Sequence, residues 1–156
     1  MSMISSFPTN VTSNNSPSPV ALAILYQDNQ CLLQLRDDLP TILYPGHWGL
    51  FGGHLEPGES PEAGLKREIL EEISYVIDVA TEFRCYADDR AVRYIYHAPL
   101  TIGLEELDLQ EGADLALASL ETIQQGQCYS TKIEQVRPLG DIHQRILLDF
   151  FESRLK

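Results

Sequence analysis

Three glutamates, Glu68, Glu71 and Glu72, lie three and four positions apart in a segment of helical pattern. Residues at these spacings share one face of an α-helix, where like charges repel by roughly a few tenths of a kcal/mol per pair. A bound divalent cation reverses that repulsion, and Mg²⁺ prefers carboxylate oxygens and shares its other positions with water and phosphate. The spacing therefore predicts a site for Mg²⁺ or Mn²⁺, with a solvated acidic face as the alternative.

The residues before these glutamates carry clear signals for the start of a helix. Residues 56–59 place Pro and Gly at the centre of a type II turn, in which Gly accepts positive φ. Ser60 is a typical N-cap and a proline follows it, so we predict a helix over Pro61–Ile73. Gly64, one turn before the first glutamate, is expected to leave open space beside the carboxylates. The neighbouring face would pack on a sheet through Leu65, Ile69, Leu70 and Ile73.

The rest of the chain supplies the elements that must position this helix. Residues 1–18 are rich in Ser, Asn, Thr and Pro and predict a flexible tail before a single domain over residues 19–156. We predict strands over residues 20–26, 31–35, 48–51, 77–86 and 91–101, with a loop over 36–47. A short helix is predicted over 119–125, and a last helix capped by Asp141.

Composition narrows the classes of function. A formal net charge of -12 excludes non-specific binding to nucleic acid, because phosphate backbones attract Lys and Arg. A phosphate-bearing substrate would need either a cation between itself and so acidic a protein, or a local basic group that outweighs the overall negative charge. Cys31, Cys85 and Cys128 form no ligand-spaced motif, so we expect reduced structural cysteines. No apolar run is long enough to cross a membrane and no signal-peptide pattern is present, so the expected location is cytoplasmic.

The segment over residues 53–75 resembles the Nudix box, G-x5-E-x7-R-E-U-x-E-E-x-G-U, where U is aliphatic. The positions in register are Gly53, Glu59, Arg67, Glu68, Ile69, Glu71 and Glu72. Ser74 stands where the pattern has Gly, and Tyr75 stands where it has an aliphatic residue. The left-handed conformation is less favourable for Ser than for Gly, so this departure affects how the helix ends. It does not remove a candidate ligand.

The resemblance implies an α/β fold, a Nudix-type α/β/α sandwich around a central mixed β-sheet. It also implies a Mg²⁺ or Mn²⁺ site whose ligands are Glu68, Glu71, Glu72 and the carbonyl of Gly53. Glu71 and Glu72 would act in catalysis, Glu71 as a further ligand or as a group that holds water. Glu59 and Arg67 would pair to hold the loop against the helix, the alternative being a surface ion contact of little energy.

Residues outside the box complete the expected site. Glu111 resembles a loop acid found before the short helix in many members, where a carboxylate could act as general base. The alternative is an exposed loop acid, and Glu105, Glu106, Asp108 and Asp114 are rivals. Arg36, which ends the second predicted strand, is a candidate for binding a phosphate. Trp48 is a candidate for stacking on a base or sugar, as are Tyr44, His47 and Phe51, although core packing is the alternative for Phe51 and Trp48.

The expected function is metal-dependent hydrolysis of a phosphoanhydride bond in a nucleoside diphosphate linked to another moiety, by attack of metal-activated water on phosphorus. The partner is then a small molecule, with no nucleic acid polymer and no membrane, and the resemblance is compatible with a homodimer. One alternative is a non-catalytic nucleotide sensor or interaction module on the same fold, which would not need all three glutamates. Another is an isomerase or transferase, since fold does not fix function.

Overall fold

The computed structural model describes residues 17–42 and 44–155, and along them the chain forms nine strands and three α-helices. The first half contains β1 (Ser18–Gln27), β2 (Gln30–Leu35), β3 (Trp48–Gly49), β4 (Phe51–His54) and α1 (Pro61–Ile73). The second half contains β5 (Thr81–Ala87), β6 (Ala91–Pro99), β7 (Asp114–Ser119), α2 (Leu120–Gln125), β8 (Gln127–Ser130), β9 (Gln135–Pro138) and α3 (Asp141–Arg154). The predicted tail lies outside the described residues except for positions 17 and 18, and Ser18 already belongs to β1.

Strand β1 is the centre of a mixed sheet. It runs parallel to β6 on one side and antiparallel to both β2 and β4 on the other. The sheet order is β3-β2-β1-β6-β5, with β7 pairing on β2. The β1–β2 hairpin turns at Asp28 and Asn29, whose φ values of 51° and 63° are those of the type I′ turn that matches strand twist. The remaining strands, β8 and β9, form a separate antiparallel pair.

Helices cover both faces of the sheet, which confirms the expected α/β/α sandwich. On one face α1 packs Leu65, Ile69 and Ile73 into a cluster with alternate residues of β1. On the other face α3 packs Ile146, Leu147 and Phe150 onto the intervening residues of β1 and onto β2 and β6. Leu70 was expected to join the first cluster, but it is 50% exposed because it lies on the far side of α1 from the sheet.

Several predicted boundaries need correction. The strand expected over residues 48–51 is two short strands separated by Leu50, and β4 continues to His54. The strand expected from residue 77 begins at Thr81. Asp141 is the first residue of α3, whose N-cap is Gly140, and no side-chain hydrogen bond caps it. Strands β7, β8 and β9 were not predicted.

Two expectations about the whole chain can be compared with the described residues. Cys31, Cys85 and Cys128 are free thiols, and burial raises the pKa of Cys31 to about 12. None of the helices in the described part of the chain is long and apolar enough to cross a membrane.

Candidate active site

The turn and cap predicted before α1 are both present. Gly58 has a φ of 79° and the amide of Glu59 donates to the carbonyl of Glu56 at 3.0 Å, as in a type II turn. The hydroxyl of Ser60 accepts from the amide of Ala63 at 3.2 Å and so satisfies one of the free N–H groups at the helix start. These local contacts fix where α1 begins and therefore which face its glutamates present.

Arg67 holds the loop before the helix against α1. Its guanidinium donates to both carboxylate oxygens of Glu59, at 2.7 and 2.9 Å, and to the carbonyl of His54 at 3.4 Å. The bidentate bond lowers the pKa of Glu59 to about 2. A third contact, from Nη1 to Oε1 of Glu68 at 3.1 Å, extends the same arginine to the carboxylate face. The predicted pairing of Glu59 with Arg67 is therefore present.

Two glycines let the backbone and carboxylates come close together. A Cβ on Gly53 would lie 2.6–2.9 Å from the carboxyl atoms of Glu68, so that carboxylate lies directly against the β4 backbone. The expectation of open space at Gly64 was wrong, because a Cβ there would meet the side chain of Leu55 and lie 2.8 Å from Oε1 of Glu59. Gly64 thus allows the loop to pack closely on α1 instead of leaving room for a ligand.

Glu72 is the most unusual of the three helix glutamates, because it is only 5% exposed. Its Oε1 accepts from the amide of Gly52 at 3.0 Å. Burial and the charge of Glu68 raise the pKa of Glu72 to about 8, against the opposing effect of that amide. Burial is likewise the main cause of the raised pKa of Glu68, which the neighbouring Arg67 partly offsets. Such buried, mutually repelling carboxylates are favourable places for a cation.

Glu111 is brought to these glutamates by backbone bonds. The amide of Gln110 donates to the carbonyl of Glu72 at 2.8 Å, which uses a free carbonyl near the end of α1. The side-chain amide of Gln34 donates to the carbonyl of Glu111 at 3.1 Å. The charge of Glu111 contributes to the raised pKa values of both Glu68 and Glu72, as expected of a close neighbour.

A cavity of about 370 Å³ adjoins these carboxylates. Glu68, Glu72 and Glu111 line one part of it, which we call the carboxylate end. Val20 and Leu22 of β1 supply apolar floor. Both belong to the side-chain cluster on the sheet face that α3 covers.

A second part of the cavity, lined by Arg93 and His143, is called the donor end. Arg93 is 5% exposed and its Nη1 donates to Asp88 at 3.0 Å. His143, near the start of α3, accepts at Nδ1 from the amide of Leu50 at 3.0 Å. Arg36 also lines the cavity, and its positive charge lowers the pKa values of both Glu72 and His143. Arg36 therefore acts electrostatically on residues of both ends.

Other residues expected at the site are placed differently. Trp48 is fully buried and its Nε1 donates to the carbonyl of Cys128 at 2.9 Å, so its ring has no surface for a substrate. Phe51 is a core residue as well. Glu71 is outside the cavity lining, with its side chain 59% exposed and 3.4 Å from Nη1 of Arg67. Among the aromatic candidates, Tyr44 does line the cavity.

Within residues 17–42 and 44–155, no three His, Cys, Asp or Glu side chains already form a metal cage. The donor set nevertheless fits Mg²⁺ or Mn²⁺, because carboxylate oxygens are the ligands these hard cations prefer. Mg²⁺ in particular is usually bound by one or two carboxylates together with waters and substrate phosphates. The amide of Gly52 occupies Oε1 of Glu72, and Oε2 has no hydrogen bond to the described residues, which leaves it for a cation.

Comparison with known proteins places this site in a family. A model of the NUDIX domain matches residues 16–141, which is most of the chain. The chain belongs to the NUDIX family. The Nudix box over residues 53–75 is thus the segment that forms the loop, α1 and the carboxylate face.

Curated Nudix relatives are similar over part of their length. The chain is 40% identical over 70 residues to the nucleoside triphosphatase NudI of Enterobacter sp. (strain 638), covering 44% of this chain and 50% of that protein. It is 32% identical over 98 residues to a Bacillus subtilis (strain 168) protein named provisionally as an 8-oxo-dGTP diphosphatase, covering 62% of each. The match therefore spans half of the first relative's length and three fifths of the second's.

Solved Nudix structures share the fold over nearly the whole described chain. The MutT NUDIX hydrolase from Burkholderia pseudomallei superposes with a TM-score of 0.65 at 24% identity, covering 86% of this chain and 97% of that one. A NUDIX hydrolase from Nitrosomonas europaea superposes with a TM-score of 0.68 at 19% identity, covering 94% and 76%.

The two departures from the Nudix box are accommodated locally. Ser74 adopts the left-handed conformation (φ 55°, ψ 35°) that the pattern's Gly would adopt, and its amide donates to the carbonyl of Leu70 at 3.0 Å. Tyr75 is buried, and its hydroxyl donates to the carbonyl of Pro99 at 3.0 Å and accepts from the amide of Thr101 at 3.1 Å. The helix therefore still ends where the pattern requires.

Sequence reasoning did not find the donor end. His143 was only one of four scattered histidines, and Arg93 lies inside a predicted strand. The one available signal was a charged residue, Arg93, within the apolar run of β6, since a buried charge must have a partner or a function.

Proposed function

We propose that this protein is a Nudix pyrophosphohydrolase. Its substrate would be a nucleoside diphosphate linked to another group, and nucleoside triphosphates lead that class because curated relatives are named for nucleoside triphosphates and 8-oxo-dGTP. The observation that carries the proposal is the carboxylate end. There, one buried and one partly buried glutamate of α1 and a loop glutamate converge on a cavity that also contains basic groups.

Glu68, Glu72 and the carbonyl of Gly53 would hold Mg²⁺ or Mn²⁺, and the exposed Glu71 would be an outer ligand or would hold a water. When bound, the cation neutralises the substrate's phosphates and lowers the pKa of a coordinated water. Glu68 and Glu72 orient it because their carboxylates are fixed by Arg67 and by the amide of Gly52. A net charge of -12 on the chain makes this neutralisation favourable for a phosphate that approaches the carboxylates.

Glu111 would take the proton from the water that attacks phosphorus. It lines the cavity with Glu68 and Glu72, and its loop is docked on α1. Two of its four rivals have other contacts: Asp114 is buried and accepts from the hydroxyl of Ser130 at 2.7 Å, and Glu106 accepts from the amide of Gly103 at 3.2 Å. A positioned base of this kind is worth about 10²–10⁴-fold in rate.

Arg36 would bind the phosphates that are not attacked. It lines the same cavity, and its charge acts on both Glu72 and His143, which suits a phosphate chain that starts at the carboxylate end while the nucleoside reaches the donor end. A guanidinium can bind phosphate oxygens in a bidentate way. The two groups of lining residues therefore suit a nucleotide whose phosphates meet the carboxylates and whose base meets Arg93 and His143.

The deciding experiment is an assay of product release from a panel of nucleoside triphosphates, nucleotide sugars and dinucleoside polyphosphates. Each compound is incubated with Mg²⁺, with Mn²⁺ and with chelator, and the products are separated so that pyrophosphate release is distinguished from phosphate release. We expect metal-dependent cleavage with a nucleoside monophosphate as one product. Binding without any cleavage would instead favour the nucleotide-sensing alternative, and cleavage that survives chelation would refute the metal site. Light scattering on the same preparation tests the expected homodimer.

A further inference from the structure

The donor end contains a histidine whose ring is fixed in position. Nδ1 of His143 accepts from the amide of Leu50 at 3.0 Å. A Cβ on Gly49 would lie only 3.2 Å from Cε1 and Nδ1, so the ring lies flat against the backbone at that point. The ring also makes an edge contact with Tyr44, with centroids 5.9 Å apart and planes at 89°. The ring therefore cannot turn over without losing the bond to Leu50.

This hydrogen bond also fixes the tautomer. A neutral imidazole that accepts at Nδ1 must have its proton on Nε2, which makes Nε2 a donor. Burial, together with the positive charges of Arg93 and Arg36, lowers the pKa of His143 to about 4, so the ring stays neutral at physiological pH. The described residues offer no hydrogen-bond partner to Nε2, and it is not among their sealed, unpartnered polar atoms. Nε2–H is thus an accessible donor, fixed in direction, on a residue that lines the cavity.

The surroundings define what this donor can bind. Arg93 is also a donor and has no capacity to accept. The floor of the cavity beside them is apolar, through Val20, Leu22 and Leu50. A planar ring would fit on such a floor, and its edge would need to present acceptors to the two donors. An amino group in the same place would put donor against donor and leave a buried N–H without a partner.

We propose that His143 is a specificity-determining residue whose Nε2–H donates to an oxo group on the base of the bound nucleotide. The enzyme would then prefer bases with an oxo group over otherwise matched bases with an amino group at the same position. This inference rests on the proposed function, because it assigns the base to the donor end of the same cavity. It goes beyond that function by naming the base chemistry that is selected.

Two matched substrate pairs test the preference directly. Inosine and adenosine triphosphates differ in an oxo or an amino group at the same purine position, and uridine and cytidine triphosphates differ in the same way on a pyrimidine. We expect the oxo member of at least one pair to have a kcat/KM about 10-fold higher or more, since an unpaired buried donor is costly. Equal values in both pairs, or a preference for the amino member, would overturn the proposal.

Two variants separate this role from the bond to Leu50. His143→Asn can place an oxygen where Nδ1 lies, which keeps the acceptor for the Leu50 amide but removes the Nε2 donor. His143→Gln can place its amide nitrogen near Nε2, which keeps the donor but gives up the acceptor. We expect His143→Asn to abolish the discrimination within each pair and His143→Gln to retain part of it. Equal discrimination in His143→Asn and the unmodified protein would show that the histidine is structural only.

A binding measurement keeps this test separate from that of the proposed function. Dissociation constants of the four triphosphates are measured by calorimetry in the presence of Mg²⁺. If none is cleaved, the proposed function fails, but tighter binding of the oxo member that is lost in His143→Asn would still support the inference. Equal dissociation constants within both pairs would refute it, whatever the enzyme cleaves.

Discussion

The carboxylate end and the donor end of the cavity respond to their surroundings in opposite ways. At the carboxylate end, burial and mutual repulsion raise the pKa of Glu72 to about 8, so its charged form is unfavourable until a cation binds. At the donor end, burial and nearby arginines lower the pKa of His143 to about 4, so its ring is neutral before any ligand arrives. Glu72 needs a bound cation before its ionised form becomes favourable. His143 is already in its neutral form without any ligand.

This difference separates two tasks. Groups whose charge depends on a cation are suited to the chemical step, since they change state when substrate and metal arrive together. A neutral donor with a fixed tautomer is suited to selection, since it presents the same hydrogen-bond pattern to every candidate ligand. Variants at the carboxylate end should therefore change turnover and metal affinity, and variants at the donor end should change KM and substrate choice.

The largest effect is expected from Glu72→Gln. Losing a charged ligand should lower kcat by roughly 100-fold or more and lower Mg²⁺ affinity with it, because metal stabilisation of the transition state is worth several kcal/mol. The fold should persist, since Gln can still accept from the amide of Gly52. Steady-state kinetics, Mg²⁺ titration and circular dichroism measure the three quantities. The matched control is Glu62→Gln on the same helix, whose carboxylate pairs with Lys66 at 3.0 Å outside the cavity lining. A normal rate in Glu72→Gln would remove Glu72 from the ligands.

Glu111→Gln should lower kcat by about 100-fold with little change in Mg²⁺ affinity, because the residue is proposed to accept a proton and not to hold the metal. Glu105→Gln, in the turn over Leu104–Glu106 of the preceding segment, is the control and should behave like the unmodified protein. Single-turnover kinetics isolate the chemical step from product release. If Glu111→Gln keeps full activity, the base must be sought among the other acidic residues of this segment.

The pH dependence of stability should distinguish the two ends in metal-free protein. The pKa of Glu72 is raised from 4.5 to about 8, so its contribution to stability is complete below pH 4.5 and is lost as pH rises through 8. The pKa of His143 is lowered from 6.5 to about 4, so its contribution is complete above pH 6.5 and is lost as pH falls through 4. Between pH 6.5 and 8 we therefore expect Glu72 to lower the free energy of unfolding by about 2 kcal/mol. His143 makes no contribution to the change over this range.

Urea titrations in chelator at pH 6.5 and pH 8 measure this fall. Glu72→Gln should remove most of it, and saturating Mg²⁺ should reverse it in the unmodified protein, because a ligand that binds only the folded state stabilises it. If Glu72→Gln lost as much stability between pH 6.5 and pH 8 as the unmodified protein, a group other than Glu72 would be responsible for the pH dependence.

The smallest effect is expected from Tyr44→Leu at the donor end. The ring of Tyr44 lines the cavity and contacts His143, and an aromatic contact is worth about 0.5–1.5 kcal/mol. KM should rise by a few-fold with kcat nearly unchanged. Tyr129→Leu, at an exposed position on β8, is the control. A fall in kcat at constant KM would contradict the division of tasks between the two ends.

The carboxylate end could be predicted from sequence because its geometry is local. Ser60, the turn before it and the helix glutamates all lie within residues 56–73, where capping and helical spacing decide the structure without help from distant residues. Arg67 reaches Glu59 over one turn and a short loop. The same rules predicted the bounds of α1 correctly. They wrongly predicted that Leu70 packs on the sheet, because Leu70 lies on the side of the helix that faces away from it.

The donor end could not be predicted, because distant elements bring it together. His143 meets the amide of Leu50 only when α3 packs on the sheet, and no spacing in the sequence encodes that contact. The prediction that Trp48 binds substrate was wrong, because an aromatic residue beside a motif is equally compatible with a binding surface and with a core position. Strands β8 and β9 pair only with each other and expose Tyr129 and Val136, so they lack the buried alternation that identifies a strand.

The segment between β6 and β7 is hydrogen-bonded at one end to Tyr75, just after α1, and at the other end to the last turn of α1 itself. Near its start, the hydroxyl of Tyr75 binds the carbonyl of Pro99 and the amide of Thr101. Near its finish, the amides of Asp108 and Gln110 donate to the carbonyls of Ile73 and Glu72 at 3.1 and 2.8 Å. The last turn of the helix and this segment therefore share hydrogen bonds and should open as one cooperative unit. Local unfolding that released Glu111 would also release the helix turn bearing Glu72, so the proposed proton acceptor and the proposed metal ligand are lost or kept together.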